Sequence, residues 1–198
     1  MPHYNKNLLI GLLAVLLLNG CSGMLSRDAE TDKQAQALPQ DYEKALVLMR
    51  SGDYDAAIPV LRDFSTKNPE LAGPYINLGI AYQFAGDKEA AMTALNQAVE
   101  LNPNNAVAHL QRGILLREQG NFEGALAAYN QALKLQPDYA LAHRNIGILY
   151  DLYLQQPGQA LSHYQRYLEL VSQPDKTVNS WVVDLRRRTG SAQARAAQ

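Results

Sequence analysis

The sequence predicts an all-α protein in which about four helix pairs stack in a row and one further helix closes the end. Three observations lead to this prediction. Prolines recur 34 residues apart at Pro69, Pro103 and Pro137. Glycines recur at the same spacing in two separate series. Each period also divides into two amphipathic halves, and self-similarity at such a period indicates a stack of small helical units.

A turn signal lies between the two helices of each predicted pair. A glycine that can take the left-handed conformation ends the first helix, and an Asp or Asn follows it as the N-cap of the second. The glycines are Gly52, Gly86 and Gly120, and the caps are Asp53, Asp87 and Asn121. In the fourth copy, Gly147 to Ala160 is one residue longer than Gly113 to Ala125, and Pro157 is expected in the first helical turn.

A second series of glycines falls inside the first helices, at Gly79, Gly113 and Gly147. A glycine in a helix interior costs about 1 kcal/mol relative to alanine. Its recurrence in register therefore indicates a close approach of two helices, for which we expect Ala91, Ala125 and Ala160 as the small partners. The first copy departs from this pattern, because Ala45 replaces the glycine and Pro59 falls inside the second helix.

Together these positions resemble the tetratricopeptide repeat. The second copy carries Tyr75, Leu78, Gly79, Tyr82, Ala91, Leu95, Ala98 and Pro103. The third copy carries Gly113, Leu116, Ala125, Tyr129, Ala132 and Pro137. The resemblance implies a right-handed superhelical solenoid of about four repeats over residues 38–172, divided into 38–71, 72–105, 106–139 and 140–172.

The segment after the repeats predicts one more helix. Val178, Trp181, Val182 and Leu185 form an apolar stripe at helical spacing. Because the last unit of a solenoid needs its exposed face covered, we assign residues 173–189 to a capping helix. We expect the small, polar tail at 190–198 to be disordered.

Residues 1–20 are predicted to be a lipoprotein signal peptide. The apolar run from Leu8 to Leu18 would rise about 16 Å as a helix, which is too short for a bilayer core of about 30 Å. The sequence LNGC that follows resembles the lipobox of bacterial lipoproteins, and this implies cleavage before Cys21 and its modification by lipid, such as palmitate. The alternative interpretation is an ordinary secretory signal that happens to contain a cysteine.

Residues 21–37 are predicted to be the lipidated cysteine and a flexible polar tether. Sixteen flexible residues reach roughly 20–25 Å, so the repeats would lie near the membrane surface. In that family, an aspartate directly after the lipidated cysteine favours retention at the inner membrane. Ser22 occupies this position here, so the resemblance implies the outer membrane, with the protein facing the periplasm.

The phrase NLGIAY, with its copies QRGILL and NIGILY, encodes two faces of the first helix. Counting positions from Ala72, Ala106 and Ala140, the glycine faces the partner helix, whereas positions six and nine face away from it. In the resembling family this second face lines a concave groove. The predicted groove residues are Asn77, Ile80, Phe84, Gln111, Ile114, Arg117, Asn145 and Ile148. The alternative is that the isoleucines only pack between neighbouring helices.

Composition and motifs exclude other classes of function. With 18 Lys and Arg against 19 Asp and Glu, no basic field is available for nucleic acid. Cys21 is the one cysteine, so neither an intrachain disulfide nor a cysteine metal cluster can form. His109 and His143 share a repeat position, but no Asp, Glu or Cys at matching spacing completes a metal site, and packing is the better interpretation. We predict no enzyme, no catalytic residue, no metal and no cofactor.

The resemblance and the signal segment together predict a membrane-anchored periplasmic scaffold. It would bind a peptide or protein in the groove and support assembly of an envelope machine. The alternatives are a pilotin-like factor for a pilus secretin, an adaptor for cell-wall hydrolases and an accessory of a Ton-type transport system. Self-association through the groove or through Trp181 would make the protein a homo-oligomer.

Overall fold

The computed structural model describes residues 39–196, with side chains described as far as residue 190. The helices in this range are α1 (Gln40–Arg50), α2 (Tyr54–Lys67), α3 (Ala72–Ala85), α4 (Lys88–Leu101), α5 (Ala106–Glu118), α6 (Phe122–Leu135), α7 (Ala140–Ile148), α8 (Pro157–Leu170) and α9 (Lys176–Ala196). The predicted signal peptide, Cys21 and the tether lie outside the described residues. Within 39–196, no helix combines the length and the apolar character needed to cross a membrane.

The helices form successive antiparallel pairs. We term α1, α3, α5 and α7 the A helices, and α2, α4, α6 and α8 the B helices. Each helix packs against its neighbour in sequence, both within a pair and between pairs. This nearest-neighbour arrangement is that of a solenoid. The predicted all-α solenoid of four helix pairs with a capping helix is therefore confirmed.

Small side chains fill the contacts between helices. Positions three, eight and ten, counted from Ala72, Ala106 and Ala140, are buried in the second, third and fourth pairs. The B helices oppose them with alanines that are at most 5% exposed: Ala91, Ala94, Ala98, Ala125, Ala128 and Ala132. Because small residues allow helix axes to approach to about 8–10 Å, the core is thin and rich in alanine. One larger side chain completes each of the last three pairs, namely Leu95, Tyr129 and Tyr164.

The first three turns have the predicted chemistry. The turn glycines have φ values of 78°, 91° and 80°, in the left-handed region. Asp53, Asp87 and Asn121 then accept hydrogen bonds from backbone N–H groups three residues ahead, at 3.2, 2.9 and 2.9 Å. These bonds satisfy donors that the first turn of each B helix would otherwise leave unpaired.

Gly113 shows why an interior glycine is needed. A Cβ at this position would lie 2.5 Å from the Tyr129 ring and 3.2 Å from the Ala125 carbonyl oxygen. Tyr129 is fully buried, so its ring has no room to retreat. The predicted close approach is present, but the main partner is the tyrosine one turn beyond the predicted Ala125. Gly147 meets the Tyr164 ring at the same 2.5 Å.

The extra residue of the fourth pair is accommodated in a π-helical turn, Leu149–Tyr153, that directly follows α7. The chain then passes through Gln155, which has a φ of 52°, a conformation that non-glycine residues rarely adopt. α8 begins at Pro157, as the sequence predicted. These adjustments return α8 to the phase in which Ala160 and Tyr164 are buried.

The capping helix α9 covers the last pair through Val178, Val182 and Leu185, which are 0%, 5% and 0% exposed. Trp181 is half-buried, with its ring 5.3 Å from that of Tyr164. α9 continues to Ala196, so the prediction of a disordered tail from residue 190 is corrected. The physical reason is local, since the sequence after Gly190 lacks proline and is rich in alanine, with Gln and Arg.

Candidate functional site

The A helices present one continuous face away from the B helices. We term it the groove face, and it comprises positions two, six, nine and thirteen, whose spacing of four, three and four residues places them in line along a helix. Its members are Gly73, Asn77, Ile80 and Phe84 on α3, Val107, Gln111, Ile114 and Glu118 on α5, and Leu141, Asn145, Ile148 and Leu152 on α7 and its π turn. Arg117 at position twelve borders this face.

The three predicted amides do not share one environment. Asn77 Nδ2 donates to the Tyr42 hydroxyl at 2.6 Å, which links α3 to α1. Asn145 is 9% exposed, and its Nδ2 donates to the Leu141 carbonyl of its own helix at 2.8 Å. Gln111 is half-buried and makes no side-chain hydrogen bond within residues 39–190. The sequence predicted all three amides as groove residues, but Asn145 is bonded internally and Asn77 supports a helix contact, so these two are not equivalent to Gln111.

The three predicted isoleucines are all half-buried. Ile80 packs on a cluster of Ile76, Ala98 and Ala108. Ile114 packs on the core of the third and fourth pairs, and Ile148 packs on a cluster that includes residues of α9. The packing interpretation thus holds for part of each side chain, while the remaining surface contributes to the groove face.

Larger exposed apolar side chains lie at positions two and thirteen. Val107 and Leu141 at position two are 40% and 47% exposed. Phe84 and Leu152 at position thirteen are 63% and 67% exposed, and Phe84 stacks on Tyr54 with ring centroids 4.6 Å apart. Of these four, only Phe84 was predicted from the sequence as a groove residue. The signal that could have found the others is the extension of the same helical stripe by one turn in each direction.

Arg117 is held by two tyrosines that the sequence did not connect with it. Its Nε donates to the Tyr129 hydroxyl and its Nη1 to the Tyr153 hydroxyl, both at 3.4 Å. The guanidinium carbon also lies 5.8 Å from the centre of the Tyr153 ring. Burial raises the pKa of the Tyr129 hydroxyl by more than Arg117 lowers it, so this hydroxyl stays neutral beside the cation.

The corresponding position of the fourth pair carries an acid. Asp151 is in an ion pair with Arg188 of α9 at 2.8 Å, and its side chain is only 9% exposed. Arg188 also binds Asp184 at 2.7 Å. A cavity of about 520 Å³ adjoins this pair, lined by Ile148, Asp151, Leu152, Gln155, Tyr164, Trp181, Asp184 and Arg188. The capping helix therefore covers the end of the groove face, and its Arg188 neutralises the charge of Asp151.

The histidines serve as ties between elements. His109 Nε2 lies 2.8 Å from the Pro103 carbonyl oxygen, and His143 Nε2 lies 2.9 Å from that of Pro137. Since a carbonyl can only accept, both Nε2 atoms carry a proton. His143 Nδ1 also lies 3.1 Å from Nδ1 of His163 on α8. Among the described residues, no group of three His, Cys, Asp or Glu side chains is arranged to hold a metal ion.

Comparison with known proteins matches the repeats to two family models. A family model described as tetratricopeptide repeat matches residues 48–114, and one described as TPR repeat matches residues 115–152. A structure of a MamA protein is 27% identical with a TM-score of 0.57, over 64% of this chain and 68% of that chain. The pilF protein of Pseudomonas aeruginosa is 22% identical with a TM-score of 0.69, over 76% and 68% of the two chains.

A thermophilic TPR protein of Thermus thermophilus is 24% identical with a TM-score of 0.62, and the match covers 93% of this chain and 96% of that chain. The matches to pilF and to the Thermus protein are below 25% identity, so they show that the fold is shared and nothing further. No curated protein matches the sequence.

Proposed function

We propose that the protein is an interaction scaffold that binds a partner peptide or protein along the groove face, since residues 48–152 match family models of the tetratricopeptide repeat. The observation that carries this proposal is the row of exposed apolar side chains on that face, with Phe84, Val107, Leu141 and Leu152 between 40% and 67% exposed. Exposed apolar side chains that recur on one face of a protein are typical of a surface that another protein covers. Proteins with these repeats are generally non-enzymatic scaffolds.

We further propose that lipid on Cys21 anchors the scaffold to the outer membrane, facing the periplasm. The support for this address is the apolar run up to Leu18, the LNGC sequence and the Ser22 that follows it. A single acyl chain binds a membrane reversibly, whereas two or more anchor a protein stably. The polar segment 22–37 would then hold the repeats at a short distance from the membrane.

The partner belongs to an envelope machine in this proposal. A pilus secretin, a cell-wall hydrolase and a Ton-type transport complex all fit a membrane-tethered scaffold, and the partner's identity selects among them. The groove face favours a segment that offers apolar side chains in a row, because that is the chemistry of its exposed surface.

The binding site is tested by placing charge on the groove face. We expect a Val107→Glu, Leu141→Glu double variant to lose a partner that the wild-type protein captures by crosslinking in whole cells, because both side chains are already part-exposed and their replacement opposes only apolar contact. Val183→Glu on α9 is the matched control, since Val183 is 66% exposed and lies outside the groove face. Equal recovery of the partner by all three proteins, with unchanged melting temperatures, would contradict the proposal.

The membrane address is tested separately. Cys21→Ser should abolish metabolic labelling with an acyl chain and release the protein from the membrane fraction, while purified protein keeps its helical circular dichroism. Acyl labelling that persists in the Cys21→Ser variant would show that the lipid is elsewhere or that the motif is not used.

A further inference from the structure

Arg117 is a preorganised cation at the edge of the groove face. Its two hydrogen bonds go to hydroxyls of α6 and of the π turn, so the side chain is fixed by two different elements. Stacking on Tyr153 adds a third restraint. A guanidinium has five N–H donors, and these contacts use two of them. The remaining donors are available to a ligand without the usual cost of ordering a long side chain.

The acidic side chains at neighbouring positions have other partners. Glu118 accepts a hydrogen bond from Gln83 Nε2 at 2.8 Å, which directs it toward the second pair. Asp151 is bound to Arg188. Within residues 39–190, no carboxylate oxygen lies within 4.0 Å of an Arg117 nitrogen. The side-chain acceptors on Arg117 in that range are the two hydroxyls, so its charge has no counter-ion in this part of the chain.

Exposed apolar side chains flank this cation, one on each neighbouring pair. Phe84 precedes it on the second pair and Leu152 follows it on the fourth. Adjacent packed helices lie about 8–10 Å apart. An extended chain in the polyproline II conformation advances about 3.1 Å per residue, and its three residues per turn place every third side chain on the same side. One repeat therefore corresponds to about three residues of an extended ligand.

We propose that Arg117 binds an Asp or Glu side chain of the partner, within an extended segment that places an apolar residue about three positions to each side of the acid. The planar guanidinium suits a carboxylate through two parallel hydrogen bonds. Because Arg117 is half-buried, solvent and salt screen its attraction to a carboxylate less than they would for a fully exposed arginine. This inference rests on the proposed function, since it specifies the segment that the groove face binds.

The experiment selects ligands for the full-length protein in detergent from a phage library of random linear peptides. We expect the selected peptides to share one acidic residue with apolar residues about three positions away. Asp→Asn or Glu→Gln in a selected peptide should weaken binding about tenfold to a hundredfold, and Arg117→Gln in the protein should cause a similar loss. Combined, the two changes should cost little more than either alone, as residues in direct contact require.

Two further variants distinguish recognition from misfolding. Arg112→Gln removes the same charge from the same helix at a position that does not face the groove, so binding should persist. Tyr129→Phe keeps the ring that packs on Gly113 but removes the hydroxyl that holds Arg117, and we expect an intermediate loss. All variants should melt within a few degrees of the wild type.

The possible results distinguish a failure of the role proposed for Arg117 from a failure of the proposed groove binding. Selected peptides without an acidic residue, or peptides whose binding ignores Arg117→Gln, would overturn the role of Arg117 and leave the groove intact as a binding site. Peptides that bind a groove variant carrying Phe84→Glu and Leu152→Glu as well as they bind the wild type, or a failure to select any peptide, would overturn both.

Discussion

The third and fourth helix pairs share their packing and differ at the residue that borders the groove face. In both pairs an interior glycine, Gly113 or Gly147, lies so close to a buried tyrosine ring that a Cβ in its place would clash with the ring. At position twelve, however, the third pair carries Arg117 and the fourth carries Asp151. The comparison teaches that the residues that define the pair are constrained by helix contact, whereas the groove border is free to take either charge.

The two charges also have different fates. Asp151 is satisfied inside the molecule by Arg188, and the ion pair ties the π turn to the capping helix. Arg117 is positioned by neutral hydroxyls and has no internal counter-ion in the described part of the chain. The last pair therefore uses this position to hold the cap, and the third pair leaves it open to a ligand.

The largest expected effect comes from filling the glycine contact in each pair. Gly113→Val and Gly147→Val should each lower the free energy of unfolding by about 1–3 kcal/mol, because the new side chain overlaps a buried tyrosine ring. The gain in helix propensity offsets only a small part. Chemical denaturation of the two variants measures both costs.

These variants also separate the pairs by function. Only Gly113→Val disturbs the tyrosine that holds Arg117, so it should weaken ligand binding beyond what Gly147→Val does. Gly158→Ala is a useful control, since a Cβ there meets open space and the melting temperature should stay the same or rise slightly. A wild-type melting temperature for Gly113→Val would show that the helices can separate without cost.

A smaller effect is expected from the charges at position twelve. Asp151→Ala should lower the free energy of unfolding by about 1 kcal/mol, a value reduced because Arg188 is half-exposed and keeps its contact with Asp184. Arg117→Ala should cost less, because it breaks no ion pair within residues 39–190. Urea titrations of the two variants test the order, and a greater loss for Arg117→Ala would reverse the assignment of the structural and the open charge.

The smallest effect near neutral pH should come from the histidine contact of the fourth pair. Burial, and secondarily the charge of His143, lowers the pKa of His163 from 6.5 to about 4. Because the folded pKa lies below the unfolded one, the contribution to stability is complete above pH 6.5 and is lost as the pH falls toward about 4. Thermal melts across this range should decline.

The control for that pH dependence lies in the third pair. His109 makes the same bond to a proline carbonyl, but the residue corresponding to His163 is Ala128. His163→Gln should therefore flatten the decline in melting temperature between pH 6.5 and about 4, and His109→Gln should leave it in place. An equal decline in the wild type and the His163→Gln variant would assign the pH dependence to other groups.

The fold could be predicted from the sequence because its determinants are local and repeated. The caps at Asp53, Asp87 and Asn121 depend on residues three positions away, and the stripe at Val178, Val182 and Leu185 depends on a single helix. The extra residue before Ala160 was visible as a count. The sequence did not show that a π turn would accommodate this residue, because the choice between a longer loop and a π turn depends on the packing on both sides.

The candidate site was less predictable because its contacts join distant parts of the chain. Arg117 is held by hydroxyls 12 and 36 residues away, and no spacing in the sequence announces such contacts. Asn145 and Asn77 share a motif position, yet one amide bonds its own helix and the other bonds Tyr42. The choice between these partners depends on how deeply each helix is covered, which a single sequence does not express.

The exposure of Val47 gives the solenoid a mechanical polarity. Val47 is 51% exposed on α1, whereas its counterparts at position ten of the later A helices, Ala81, Leu115 and Leu149, are completely covered by the preceding pair. At the other end, α9 and its ion pair with Asp151 hold the last repeat shut. A pulling force on the two chain ends would therefore unfold the helix pairs in order from α1 onward, and the third and fourth pairs, which carry Arg117 and Asp151, would unfold last.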